Sequence, residues 1–328
     1  MTRLTENRTL LARPMAIALL CAILAASCSE RERPLGQKRS PATRDTRRLR
    51  VSALRSLGEH ETQSRKGAEG TGDFALEALK VKKALGENFI VEVAKPFIVA
   101  GNISRADFDR IVNHTILDSY RAFYKQLFTV RPTYIIKVFL FKNDTTYRQY
   151  ARTLFGDEPT TPFGYYKSAG HSLVMNIATG TGTLVHEMTH ALIEADFPQV
   201  PAWFNEGLGS LFEQCIVTPR GLRGLVNWRL PILRKAIREK KLTGLRKLPS
   251  TPSSQFYRDE RGAHYAEARY FCMYMQELGL LEKFYKSFRA NFKQDPSGGK
   301  TIEKLFGKSL EQIQQDCLEW VEKLPTPP

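Results

Sequence analysis

The spacing of apolar residues divides the chain into a strand-bearing first part and a helical second part. "NFIVEVAKPFIVAG" (88–101) and "TYIIKVFLF" (133–141) are short runs rich in β-branched and aromatic residues, and they predict strands. Between them, behind Ser104, apolar positions 108, 111, 112, 116, 120, 123, 124 and 127 follow a helical stripe. "NDTTYRQYARTLFG" predicts a second helix, with Asn143 or Asp144 as its cap and Gly156 at its end. "TPFGYYKSAGHSLVMNIA" predicts a hairpin whose second strand, "HSLVMNIA", is expected to be an edge strand beside the following helix, "TLVHEMTHAL" (183–192).

Beyond residue 200 strand signals nearly vanish. "PAWFNEGLGSLFEQC", "LPILRKAIREKK", "AHYAEARYFCMYMQELG", "LLEKFYKSFRANF" and "SLEQIQQDCLEWVEKL" all read as helices. The last opens with Ser309 and has Gln312 three residues later, a capping-box pattern. The expected fold class is α+β: a small mixed sheet with the 183–192 helix against it up to about residue 200, followed by a mostly helical half.

The N-terminus has a different pattern. Arg3, Arg8 and Arg13 precede "MAIALLCAILAAS", an uncharged run of 13 residues, too short to span a bilayer comfortably but suited to a signal peptide. It ends in "LAASC", so residues 1–28 read as a signal peptide with a lipobox-like end, Cys28 being the lipid-bearing residue. Ala25 stands where leucine is usual, which keeps plain secretion or an uncleaved anchor open. Ser29 after Cys28 matches outer-membrane sorting in bacteria with two membranes. The expected location is the cell envelope. Residues 29–72, rich in Arg, Pro, Gly, Ser and Thr, have no sustained apolar period and read as a disordered basic tether; residues 73–328 form the folded domain.

Composition adds little beyond this, with 42% hydrophobic and 25% charged residues as in ordinary globular proteins. The net charge of +15 is uneven: residues 1–72 carry 14 Lys/Arg against 7 Asp/Glu, and residues 219–248 carry 10 against 1. Charge so placed, without nucleic-acid motifs, excludes a general nucleic-acid binder. The second patch could face anionic lipid, an acidic wall polymer, an acidic substrate or only solvent. Cys215, Cys272 and Cys317 form no C-x-x-C pattern and read as buried thiols, with one disulfide possible.

The candidate chemistry lies in "TLVHEMTHAL". Residues four apart on a helix stand one turn above each other, so His186 and His190 can turn two imidazoles toward one ion, with Glu187 beside them. The other positions of this helix are apolar, and two histidines with a carboxylate in such a setting are costly unless paired or metal-bound. The spacing alone leaves an ordinary core helix open. A catalytic metal site needs a third protein ligand, and Glu206 follows 16 residues after His190, beyond the turn "DFPQVP". Pro198 and Pro201 end the first helix there, so that a reversed second helix can carry Glu206 under the histidines.

"TLVHEMTHAL…VPAWFNEGLGSLFE" resembles the gluzincin zinc metallopeptidases, in particular the bacterial peptidase MA-like group, in which HExxH is followed by N-E-G on the next helix. The resemblance extends over roughly residues 88–322, by motif in the two helices and by layout elsewhere. It implies a zincin-like fold, a zinc ion (Zn2+) held by His186, His190 and Glu206, Glu187 as general base, and a peptide or protein substrate. It also implies an oxyanion donor from a downstream helix: Tyr265, with His264 and Tyr270 as alternatives. Related aminopeptidases hold the substrate amine with a glutamate in G-x-M-E-N. The counterpart here, Val174-Met175-Asn176, has no acid, which favours cleavage within a chain. A non-catalytic binding or scaffold protein on the same fold is the alternative. Asn205 and Asp196 are candidate partners of the histidines, His60 falls in the tether, His114 in a helix and His171 in a turn.

Overall fold

The computed structural model describes residues 73–259 and 262–326. The signal segment, Cys28, the tether and His60 lie outside the described residues. Among the described residues, no helix is long and apolar enough to cross a membrane.

The fold is mixed α+β, built on one five-stranded sheet. Helix α1 (Phe74–Leu85) leads into the hairpin β1 (Ile90–Ala94) and β2 (Phe97–Gly101). A long helix follows in three parts: α2 (Arg105–Arg110), a π-helical stretch (Ile111–Leu117) and α3 (Asp118–Gln126). Next come β3 (Ile136–Phe141), α4 (Asp144–Tyr150), β4 (Gly164–Lys167) and β5 (Ser172–Asn176). The strand order is β1-β2-β3-β5-β4, with β2, β3 and β5 parallel and the two outer strands antiparallel to their neighbours. The expectation that "HSLVMNIA" forms the edge is therefore corrected: β5 is interior and "GYYK" of β4 is the edge strand. The physical reason was in the pattern, because all five residues of β5 are buried whereas Tyr165–Lys167 are half-exposed. A continuous apolar run marks a strand covered on both faces.

Alternating residues feed two cores. Phe97, Val99, Val138, Leu140, Leu173 and Met175 point to the larger core under the helical half. Ile98, Ala100, Phe139, Phe141 and Val174 point to the smaller one, covered by α1 and α4. Asn143, not Asp144, caps α4, in a reciprocal box with Thr146, and Gly156 ends the segment in the left-handed region.

Helix α5 (Gly182–Asp196) carries the HExxH sequence and α6 (Ala202–Phe212) the N-E-G sequence. After them come a hairpin, β6 (Cys215–Thr218) and β7 (Gly221–Gly224), then α7 (Leu230–Arg238), α8 (Ser253–Phe256), α9 (Ala263–Glu277), α10 (Leu281–Asn291), α11 (Gly299–Phe306) and α12 (Leu310–Glu322). The Ser309–Gln312 capping box is present. Helices α1, α8 and α11 and the β6–β7 hairpin add to the elements that the sequence pattern predicts. The three cysteines after residue 73 are free thiols.

Candidate metal centre

Helices α5 and α6 run against each other in opposite directions, and glycine allows the close approach. A Cβ on Gly182, at the start of α5, would collide with the Glu213 carbonyl just past the end of α6. A Cβ on Gly209 would come 3.1 Å from both His186 Nε2 and His190 Cε1, so a bare backbone faces the imidazoles.

On the facing sides, His186 Nε2 lies 3.3 Å and His190 Nε2 3.5 Å from the same oxygen, Glu206 Oε2. All three side chains are buried, and one ligand atom from each falls within 4.8 Å of the others. The imidazoles stand edge to face, as residues one helical turn apart must to aim at a common point. Two nitrogens and one carboxylate oxygen converging on one point make a donor set that fits a divalent metal with room for a further ligand. The set is not specific to zinc, since imidazole and carboxylate also suit other first-row metals.

Two of the ligands are held by their other polar atom. His190 Nδ1 lies 2.9 Å from Asn205 Oδ1. An amide oxygen only accepts, so Nδ1 carries the hydrogen and the Nε2 lone pair faces the metal position. Tyr257 donates its hydroxyl to Glu206 Oε1 at 3.0 Å, leaving Oε2 for the histidines. Burial alone would lower the His190 pKa, but the Glu206 charge, a hydrogen bond to Glu206, the Glu187 charge and a hydrogen bond to Asn205 push it up to about 9. For Glu206, burial works upward and the two histidines overcome it, holding the carboxyl well below its ordinary range. The two shifts together favour a carboxylate–imidazolium pair between Glu206 and His190.

Glu187 is half-buried next to this group and accepts the Tyr166 backbone N–H of edge strand β4 at 2.9 Å. Burial raises its pKa, His186 and His190 pull it down, and Glu206 adds to the rise. A carboxyl held above its ordinary value is a better proton acceptor than an ordinary carboxylate.

The structure thus brings together His186, His190, Glu206 and Glu187. Tyr265 on α9 is buried against Phe256 and Tyr257, its ring 6.5 Å from that of Tyr257. Its two alternatives are committed elsewhere. His264 has Nδ1 3.1 Å from the Phe256 carbonyl and Nε2 2.9 Å from the Thr243 hydroxyl, and Tyr270 is tied to the Asn227 backbone. Asp196 does not reach the histidines; it accepts from the Thr129 and Val130 amides and from the Tyr285 hydroxyl. His171 is a turn residue stacked on Tyr134 with Nδ1 3.1 Å from the Tyr166 hydroxyl, and His114 is exposed beside Asp118. Tyr257 and the Tyr166 amide are not evident from the sequence, because short α8 and edge strand β4 carry no motif. No protein-family model matches the chain, and no curated protein matches it.

Proposed function

We propose that the protein is a zinc-dependent metallopeptidase of the gluzincin type, on a zincin-like fold, that cleaves peptide bonds within protein chains of the bacterial cell envelope. The observation that supports this best is the convergence of His186, His190 and Glu206 on one point with Glu187 alongside. A structural histidine pair would need neither the third ligand nor a carboxylate of raised pKa next to it.

His186 Nε2, His190 Nε2 and Glu206 would hold the zinc, which would supply Lewis acidity toward water and the scissile carbonyl. The chain's own residues do the rest. Asn205 and Tyr257 orient the ligands from behind. Glu187 accepts the proton of the attacking water and returns it to the leaving amine. Its bond to the Tyr166 amide sets its position relative to β4. Tyr265, whose ring lies 6.5 Å from that of Tyr257, is the proposed donor to the oxyanion. The Val174-Met175-Asn176 stretch, without an acid to hold a free amine, supports internal cleavage. A lipid at Cys28 would keep the domain at a membrane.

The test combines metal analysis with hydrolysis of an unfolded protein. The purified full-length chain should contain about one zinc per molecule. Chelation should abolish cleavage and zinc should restore it. Glu187→Gln should keep its metal and lose roughly 10²–10⁴-fold in turnover. A Glu187→Gln protein as active as the wild type would sink the mechanism. A zinc-loaded wild type that cleaves nothing favours a binding scaffold.

A further inference from the structure

Behind the ligand helix lies a second polar cluster that the proposed reaction does not use. Arg229 is 2% exposed, Arg269 0%, Asn227 4% and Ser210 0%. Arg229 Nε contacts Glu213 Oε2 at 3.2 Å, and its guanidinium lies over the rings of Trp228 (4.2 Å) and Tyr265 (5.3 Å). Arg269 donates to the carbonyls of Ser210 and Leu225. Asn227 accepts the Arg229 amide at 3.0 Å, and its backbone holds the hydroxyl of Tyr270, the neighbour of Arg269 on α9. The four side chains are thus tied into one region where α6, α9 and the segment before α7 meet.

This region has donors and charge left over. Ser210 Oγ, Asn227 Nδ2, Arg229 Nη2 and Arg269 Nε are buried without a hydrogen-bond partner. All four can donate, and the last three can only donate. Buried polar groups are nearly always satisfied, so four open donors in one region imply an absent acceptor. The charges agree, because two guanidiniums face one carboxylate, Glu213; burial pushes its pKa up, and Arg229, His186 and Arg269 together hold it below its ordinary value. Burial pushes Arg269 down, and the nearby Arg229 charge adds to that. Cys215 supplies no negative charge, since burial pushes its thiol up to about 12. Glu267, the next buried carboxyl on α9, is turned to the amides of Thr243 and Gly244.

We infer that Arg229, Arg269, Asn227 and Ser210 form a binding site for one small monovalent anion of the chloride class. The anion accepts the open donors, neutralises the surplus cation and ties α6 to α9 and to the segment before α7. Because Ser210 lies one turn beyond Glu206 on α6, occupancy stiffens the helix that carries the third ligand. The site is independent of whether the metal centre is catalytic.

Thermal melts of the full-length protein in sodium chloride and in sodium gluconate, at equal ionic strength and with chelator present, test this. Chloride should give a saturable rise in melting temperature, about 3–6 °C at ten times its Kd, while gluconate gives none. Arg229→Gln should lose the chloride response. Asn227→Asp places a fixed negative charge among the guanidiniums and keeps the acceptor for the Arg229 amide. It should melt higher than wild type in gluconate and be indifferent to chloride. Crystals grown in bromide should show anomalous density against Arg229 and Arg269. Identical wild-type melts in the two salts, an Asn227→Asp protein that keeps the chloride response, or water alone at the site would each overturn the inference.

Discussion

Replacing Glu206 by glutamine isolates the third ligand from the fold around it. The glutamine side chain keeps the volume and can still accept the Tyr257 hydroxyl, which reaches Oε1 at 3.0 Å in the native protein. What changes is the atom facing His186 Nε2 and His190 Nε2, which lie 3.3 and 3.5 Å from the native Oε2. An amide NH2 there is a donor and offers no lone pair to a metal. Removing an outer partner of a ligand costs about 10–100-fold in metal affinity, so losing a ligand itself should cost ~100-fold or more. At a zinc concentration about 1,000 times the wild-type Kd, binding adds about 4.1 kcal/mol to stability, against about 1.4 kcal/mol for a variant bound 100-fold more weakly. For a domain of this size about 1 kcal/mol moves the melting temperature by about 2–4 °C, so the zinc-induced rise should shrink from roughly 8–16 °C to roughly 3–6 °C. Melts of both proteins, each with chelator and then with buffered zinc, read this difference directly. The chelated proteins serve as their own controls, so a change in intrinsic stability cancels. Equal zinc-induced shifts in the two proteins would mean that Glu206 is not a ligand.

Metal must displace the His190 proton, whose pKa is pushed up to about 9, so zinc Kd measured by chelator competition should fall about tenfold per pH unit between about pH 6.5 and 8.5; a flat profile contradicts the protonated pair. In the metal-free protein that raised pKa contributes stability fully present below pH 6.5 and lost as pH rises through about 9, whereas the lowered Glu206 pKa contributes stability present above pH 4.5 and lost below it, so chelated melts should peak between those limits. Tyr257→Phe should weaken zinc about 10–100-fold, whereas Tyr265→Phe should leave zinc affinity unchanged and lower kcat with little change in KM; full activity in Tyr265→Phe removes it as oxyanion donor. Cys28→Ser should move the protein from membrane to soluble fractions, and unchanged fractionation and mass would contradict the lipid anchor.

How much of the molecule is legible in the sequence depends on whether a residue's role is local. His186 and His190 are legible because one helical turn aligns them whatever the rest of the chain does. Glu206 is legible because two prolines force a reversal between helices. Asn205 can be named from its position before Glu206, but its bond to His190 depends on how α6 is rotated about its axis. Tyr257 is hidden because it reaches Glu206 from 51 residues away, just past a helix of four residues. Helix α1 and the Arg- and Gly-containing β6–β7 hairpin give weak periodicity, and tertiary packing decides them. The edge strand is misplaced by the sequence because hydrophobicity suggests proximity to the HExxH helix, when continuous burial signifies an interior strand.

The site is organised before any metal arrives. His190 is gripped at Nδ1, Glu206 at Oε1 and Glu187 at one carboxylate oxygen, in each case by a group from outside its own helix: Asn205 on α6, Tyr257 beyond α8, and the β4 backbone. These bonds leave the remaining atoms of the two ligands aimed at one point. Buried charge held this way is costly unless compensated, and in the metal-free protein the compensation is the proton on His190 facing the Glu206 carboxylate. The proposed divalent ion would replace that proton with a stronger positive charge at the same place. Little of the surrounding structure then has to move, because the groups that orient the ligands act on atoms the ion does not touch. Binding of the proposed metal would thereby be coupled to proton release from His190.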